Sequence, residues 1–537
     1  MRRPGLQQPE SLESRRVLAG VVEIVDVDGE VATLRSSRGS SADLIGALTT
    51  FASGLGTQVA KIDLSAPVFA GTKLQITITQ SLLGGDGAIN IGEIFSPHDL
   101  ASVTVSGDLA KITAGDVTLT TPGIGRLSLR SMGEFSTVTG APDLTSTVFG
   151  SIGSLSIQGN MRGVSFNASE NIGKATIGGS IIGINSGDGF TAGSIGTMTV
   201  AGSLEGGGTT QSGQIFTNRG AIRSLRIGQI NGGAGNASGI VSGLTGIREI
   251  RVTLGSVNGG TGQYSGGISA GPAGGIGTLS IVGSIIGNSV NDSGYVSTEG
   301  RIRSATIGGF VVGGAGQRSG FVEGRTGIDS IRIGVGLAGG ANLLSGSVSA
   351  PNGAIRRLDV GSITASTGYL SGAVIAGSLG AVTVRGDVRG LPSNPVVISA
   401  TGTSGRAIGS LSVQGTVERA LVLGGYQGDI PMNGNARIGN VVIRGDLFAS
   451  SIVAGVTNAV FGRFGDLGDS PIGGFGTSRI DSVTVGGTAV GTGTAPDAFG
   501  ISAMTIGSVR IGGVRYIATP GFPVSPLGDN FAIHDLL

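Results

Sequence analysis

Two aspartates sit in successive copies of a repeated phrase, Asp329 in "IDSIRI" and Asp359 in "IRRLDV". A glycoside hydrolase needs two carboxylates on one face, one as acid and one as base or nucleophile. A lyase needs an aspartate cluster for calcium beside an Arg or Lys base. Asp329 and Asp359 hold different positions within their phrases, so stacking the copies does not align them. They read as solvated turn and strand-face residues. The histidines, His98 and His534, lie near opposite ends of the chain, which excludes a His-based or His-rich metal centre. "GGDGAINIG" (84–92) and "NSGDGF" (185–190) are similar to calcium-binding glycine-aspartate repeats. That nonapeptide needs a second Asp where Ile89 stands, and it must recur to build half-sites between turns. It does not recur, so Asp86 reads as a turn residue. Glycine runs such as "GGAGNASG" (232–239) lack the Gly-Lys-Ser/Thr ending of a phosphate loop. With no cysteine there is no thiol nucleophile, thiolate metal site or disulfide. The reading predicts no catalytic residues, no metal site and no cofactor.

The arginines are the remaining polar pattern. The third and fifth residues of the phrase point outward, and Arg226, Arg251 and Arg332 fall in that register. Arg223, Arg248, Arg303 and Arg356 occupy the neighbouring turn position. Stacking aligns all seven into an interrupted basic stripe about 30 Å long. Its expected partner is an anionic cell-surface polysaccharide, with Glu249, Asp329 and Asp359 interleaved as partial neutralisers. Net charge is only +1, so no global field steers the chain to nucleic acid. Outward Thr197, Thr199, Thr278 and Ser280 suggest an ice-binding array, but Arg and Asp break the regular Thr-x-Thr pattern that it requires.

These residues can align only if the repeat stacks. An Ile/Leu-x-x-φ-x-φ core (φ, apolar) recurs sixteen times. The copies start at Leu100, Ile124, Ile152, Ile172, Ile195, Ile222, Ile247, Ile276, Ile302, Ile328, Ile355, Leu379, Ile408, Ile438, Ile480 and Ile506. A G-S-φ-φ-G piece follows each core, and then a Ser-Gly, as at Ser238-Gly239, Ser265-Gly266 and Ser319-Gly320. Each unit therefore reads as three short strands separated by glycine turns, too small to bury its apolar face alone. Glycine supplies 105 of the 537 residues without a G-X-Y period, which excludes collagen; 13% charge excludes a disordered polyelectrolyte. The predicted fold is all-β: a three-sided parallel β-helix (β-solenoid) of about sixteen coils with N- and C-terminal caps. In "GGIGTLSIVGSIIG" (274–287), Leu279, Ile281, Ile285 and Ile286 are expected to fill one core layer.

The ends break the period. Residues 20–99 are read as an N-terminal capping region. It holds a hairpin around Asp28-Gly29, then a helix behind Ser41 carrying Leu44, Leu48, Phe51 and Leu55 at helical spacing. The coils span 100–520, with 458–478 leaving the rod as a loop and 521–537 forming a tail or cap. No stretch approaches the ~20 apolar residues of a membrane helix, and the N-terminus is a poor secretory signal.

"SLESRRVLA" (11–19) resembles the LEPR-XLL sorting-type motif of large surface and secreted proteins of planctomycete-like bacteria. Leu12, Glu13, Arg15 and Leu18 fit; Ser14 stands where that motif has proline, and Ala19 where it has its last leucine. Residues 1–19 are read on this basis as a disordered sorting-like segment. "VDVDGEVATLR", "FAGTKLQITITQSLLGGDGAINIGEI", "DLASVTVSGDLAKITAGD" and the "IGGSIIG" coils resemble an uncharacterised family of glycine-rich repeat proteins of the same bacteria. The resemblance covers nearly the whole chain and implies export or surface display, with no activity attached. The expected function is a non-enzymatic exported or cell-surface solenoid with a structural or adhesive role. The alternative is a carbohydrate-active β-helix enzyme, a polysaccharide lyase or glycoside hydrolase, with its acids in a groove under the 458–478 loop. A third reading is a module of a larger surface assembly.

Overall fold

The computed structural model of the chain describes residues 19–79, 85–403, 405–460, 462–494, 496–525 and 530–537. The sorting-like motif, Ala19 apart, lies outside them. Strands account for 56% of the chain and helix for 3%, wound into a parallel β-solenoid of about 17 turns. All sixteen core phrases join one ladder. Leu100 bridges to Ile124, which pairs with Ile152. The register then runs through Ile172, Ile195, Ile222, Ile247, Ile276, Ile302 and Ile328. It continues through Ile355, Leu379, Ile408, Ile438, Ile480 and Ile506. Stacking like on like satisfies the backbone of every short strand and joins each apolar layer to the next.

A central coil shows how the phrase folds. Gly267–Ala270, Ile276–Ile281 and Ile285–Ile286 each pair in parallel with their counterparts in the coils on both sides. Ile268, Ile276, Leu279, Ile281 and Ile285 point inward and are fully buried, whereas Ile286 is 38% exposed. Strand alternation sends adjacent residues to opposite faces, so Ile286 does not share the core layer with Ile285.

The Ser-Gly phrase is a corner, and a short strand follows it, as Gly267–Ala270 follows Ser265-Gly266 and Phe321–Gly324 follows Ser319-Gly320. Ser212, Ser238, Ser265, Ser293, Ser319, Ser345 and Ser371 are fully buried. Each hydroxyl accepts a backbone N–H from five residues earlier. At Ser319 the hydroxyl accepts from Gly314 N at 2.9 Å and donates to Gly316 O at 2.7 Å. The next glycine turns the chain with positive φ, +60° at Gly320, where a Cβ would lie 1.7 Å from Val312 O.

The N-terminal cap differs from the expected helix. Gly20–Val25 and Val31–Ser36 form the hairpin, and Lys73–Thr79 extends it antiparallel. The helix is only Ser41–Gly46, capped by Ser40 and Asp43 instead of Ser41, and it buries Leu44. Leu48 and Phe51 belong to a strand, Leu48–Ser53, antiparallel to Gly56–Asp63. Phe51 and Leu55 are exposed. The β-favouring run Thr49-Thr50-Phe51 and a partner strand one tight turn away outweigh a helical spacing of four residues. Parallel stacking already begins here, Gly56–Asp63 on Ile91–Phe95 and Lys73–Thr79 on Ser102–Ala114. At the far end Val514–Tyr516 folds back antiparallel on Thr505–Ile511, and Phe531–Asp535 stacks on Phe499–Ala503 with Phe531 fully buried.

In the C-terminal third one face is covered. Two antiparallel hairpins, Tyr426–Gln427 with Ile430–Pro431 and Val456–Asn458 with Asp469–Pro471, sit outside the coils. Leu370, Ile375, Val397, Leu421, Leu423, Tyr426, Val453, Val456 and Phe464 form a second apolar core beneath them. Residues 458–478 therefore leave the ladder but fold back onto it.

Candidate functional site

The outward face of the core-phrase sheet is built in columns. One runs Thr176, Thr199, Arg226, Arg251, Ser280, Thr306, Arg332, Asp359, Thr383 along successive coils. Arg223, Arg248, Arg303, Asp329 and Arg356 occupy the position after the first isoleucine of their coils, bordering that column. All seven arginines of the stripe are exposed.

Their partners divide them. Arg251 is held by Glu249 at 2.6 Å, and this bond keeps the Glu249 carboxyl below its usual range. Asp329 is flanked by Arg301 at 2.7 Å and Arg356 at 3.5 Å. Asp359 is flanked by Arg385 at 2.8 Å and Arg332 at 3.9 Å. Asp329 and Asp359 are thus bridging carboxylates in two different columns, each tied to guanidinium groups. Arg223, Arg226, Arg248 and Arg303 have no ion pair or hydrogen bond among the described residues. The stripe therefore concentrates into a patch on two adjacent coils, Arg223, Arg226, Arg248 and Arg251, of which only Arg251 is paired, with Glu249. Coils one ladder spacing apart, about 4.8 Å, put these guanidinium groups within reach of one polyanion.

A groove does lie under the 458–478 segment, where the enzyme alternative placed its acids, with Val460, Gly462 and Arg463 of that segment in its lining. This cleft of about 500 Å³ opens between the coils and the outer hairpins, lined by Tyr369, Leu391, Arg419, Asp429, Arg463, Asp497 and Phe499 among others. The Tyr369 hydroxyl donates to Asp429. Burial, and then the Asp429 charge, push that phenol up to about 12. Asp497 accepts from Thr492 Oγ1 at 2.8 Å, Arg463 pairs with Asp466 at 3.1 Å, and Arg419 pairs with Glu418. Tyr369 and Asp497 are 128 residues apart, and only the fold-back of the hairpins brings them together. No local motif could have signalled it.

The histidines do no such work. His98 Nε2 sits 3.1 Å from Ser65 O. His534 is buried, its Nδ1 3.2 Å from Asp469 Oδ2. Ser502 Oγ donates to that same oxygen at 2.7 Å, and Gly465 N at 2.8 Å. The carboxylate is central here, with serine and histidine both bound to it. A nucleophilic serine needs the imidazole in between, so this arrangement is a buried clasp for the 456–471 hairpin.

Among the described residues no helix is long and apolar enough to cross a membrane. No family model, curated protein or solved structure matches the chain.

Proposed function

We propose that the protein is a non-enzymatic β-solenoid displayed outside the cell, a structural or adhesive rod that holds anionic polysaccharide along its arginine patch. The observation that carries this is the excess of guanidinium at Arg223, Arg226, Arg248 and Arg251 over the one carboxylate of Glu249. Arginine matches carboxylate and sulfate oxygens with two parallel hydrogen bonds, and four such groups on adjacent coils offer avidity to a repeating polymer. The sorting-type motif at 11–19 supports display at the surface. The test is retention of the full chain on polygalacturonate and heparin beads across a salt series. Retention at low salt should fall steeply by about 0.5 M, as screening requires. Arg223→Ser/Arg226→Ser/Arg248→Ser should weaken it at least tenfold. Equal retention of the triple variant overturns the assignment.

The cleft at Asp429 and Asp497 favours a second reading, a carbohydrate-active enzyme. Release of oligosaccharides from any of these polymers, lost in Asp497→Asn, would replace the first reading with this one.

A further inference from the structure

The turn of the N-terminal hairpin, "VDVDGEV", carries three acids, Asp26, Asp28 and Glu30, between the strands Gly20–Val25 and Val31–Ser36. Gly29, at φ +92°, turns the chain. The segment that follows residue 84 crosses this turn. Asp86 N donates to Asp28 Oδ2 at 2.9 Å, Gly87 N donates to Glu30 Oε2 at 2.8 Å, and Ala88 N donates to Asp86 Oδ1 at 2.9 Å. One oxygen from each of Asp28, Glu30 and Asp86 then lies within 4.8 Å of the others.

Acid clusters alone prove little, but this one has orphaned acceptors. Glu30 is fully buried, and its Oε1 has no hydrogen-bond partner. Asp28 Oδ1 and the Oδ2 of Asp26, itself 2% exposed, are also buried without a donor, and these two carboxyls lie within hydrogen-bond reach of each other, so Glu30 Oε1 is the orphan that stands alone. Among the described residues no Lys or Arg pairs with any of these carboxylates; Arg130, the basic group at this edge, donates instead to the backbone oxygen of Asp86 at 3.0 Å. Buried carboxylate oxygens without donors are costly unless a proton or a cation sits among them.

We propose that Asp28, Glu30 and Asp86, backed by Asp26, form a calcium site that fastens the N-terminal hairpin to the segment entering the first coils. The ligand set is all oxygen, which suits a hard cation and not zinc or copper. Calcium–oxygen distances of about 2.3–2.6 Å allow ligands on opposite sides of the ion to be about 5 Å apart, in keeping with the observed spread. Magnesium keeps several waters and binds poorly to a cage of protein carboxylates. The site differs from the nonapeptide pattern around Asp86: its partners come from the hairpin some 60 residues earlier, not from a repeat of the same motif. It also stands independently of the arginine patch.

The test uses the full chain, stripped with EDTA and titrated calorimetrically with CaCl₂ and with MgCl₂. One calcium per chain should bind, at least tenfold tighter than magnesium, and raise the melting temperature by several degrees. Asp28→Asn/Glu30→Gln should abolish the binding heat and the calcium-dependent rise, while melting in EDTA no lower than the parent because buried charge is gone. Asp86→Asn, at an exposed position, keeps the fold and should weaken calcium at least tenfold even if the double variant fails to fold. No binding at 10 mM CaCl₂, equal affinity for magnesium, or parental affinity in Asp86→Asn overturns the proposal.

Discussion

At the scale of single residues, the buried serine of each corner decides whether a coil closes. Ser319 is fully buried and satisfies both Gly314 N and Gly316 O, groups that no neighbouring strand can reach. Ser319→Ala orphans that amide and should lower stability by about 1–3 kcal/mol. Gly320→Ala should cost more, because it adds a left-handed φ to a 1.7 Å clash with Val312 O. Urea denaturation of the two variants checks both the loss and the order; an alanine at 319 as stable as serine would refute the role of the hydroxyl. The Ser-Gly dipeptide was visible in the sequence at a regular place, but its meaning was not. A hydroxyl accepting from five residues earlier depends on backbone dihedrals that spacing does not reveal.

At the scale of elements, the ladder is reinforced by charge bridges between coils. Asp481, in Arg479–Val485, accepts from Arg437 Nη2 at 2.8 Å in the preceding coil and from Arg479 Nε at 3.0 Å in its own. Burial works against the charge, but the two guanidinium groups hold the Asp481 carboxyl below its ordinary 3.8. The bridge spans the longest interruption of the repeat, between Ile438 and Ile480. Since its folded-state pKa is depressed, its contribution is complete above the unfolded value and is lost as pH falls through 3.8 and below. Asp481→Asn should cost about 0.5–1 kcal/mol at pH 7, the arginines being half exposed. The gap from the parent should stay constant down to about pH 5 and then shrink in acid; melts at pH 7 and pH 3 check it. The cap helix shows the opposite limit of element-level reading. Leu44, Leu48, Phe51 and Leu55 have helical spacing, yet pairing with Gly56–Asp63 puts Leu48 and Phe51 in a strand and Leu55 in the turn between the two.

At the scale of the molecule, about 17 turns make a rod on the order of 80 Å long. Both ends close with antiparallel strands, which blocks further parallel growth. Because each coil contacts mainly its neighbours, damage should stay local. Phe464 is fully buried in the second core and lies outside the coils. Phe464→Ala should cost that region about 3–5 kcal/mol. Hydrogen exchange should then quicken across 456–471 and the cleft while the coils at 222–252 keep their protection. Uniform quickening along the whole rod would show instead that the outer hairpins and the solenoid unfold as one unit.

The sequence by itself determined the repeat, its register and the inward side of its strands. Parallel stacking places every core phrase on the next, so a pattern along the chain becomes a column in space. Asp329 and Asp359 could be assigned to separate columns for the same reason. Only the tertiary structure decided what depends on one segment folding over another. It pairs Arg251 with Glu249 and leaves Arg223, Arg226 and Arg248 unpaired; it assembles the Tyr369–Asp497 cleft; and it carries Asp86 across the hairpin to Asp28 and Glu30. These contacts join residues from outside the period or hang on side-chain reach. A one-dimensional repeat constrains neither.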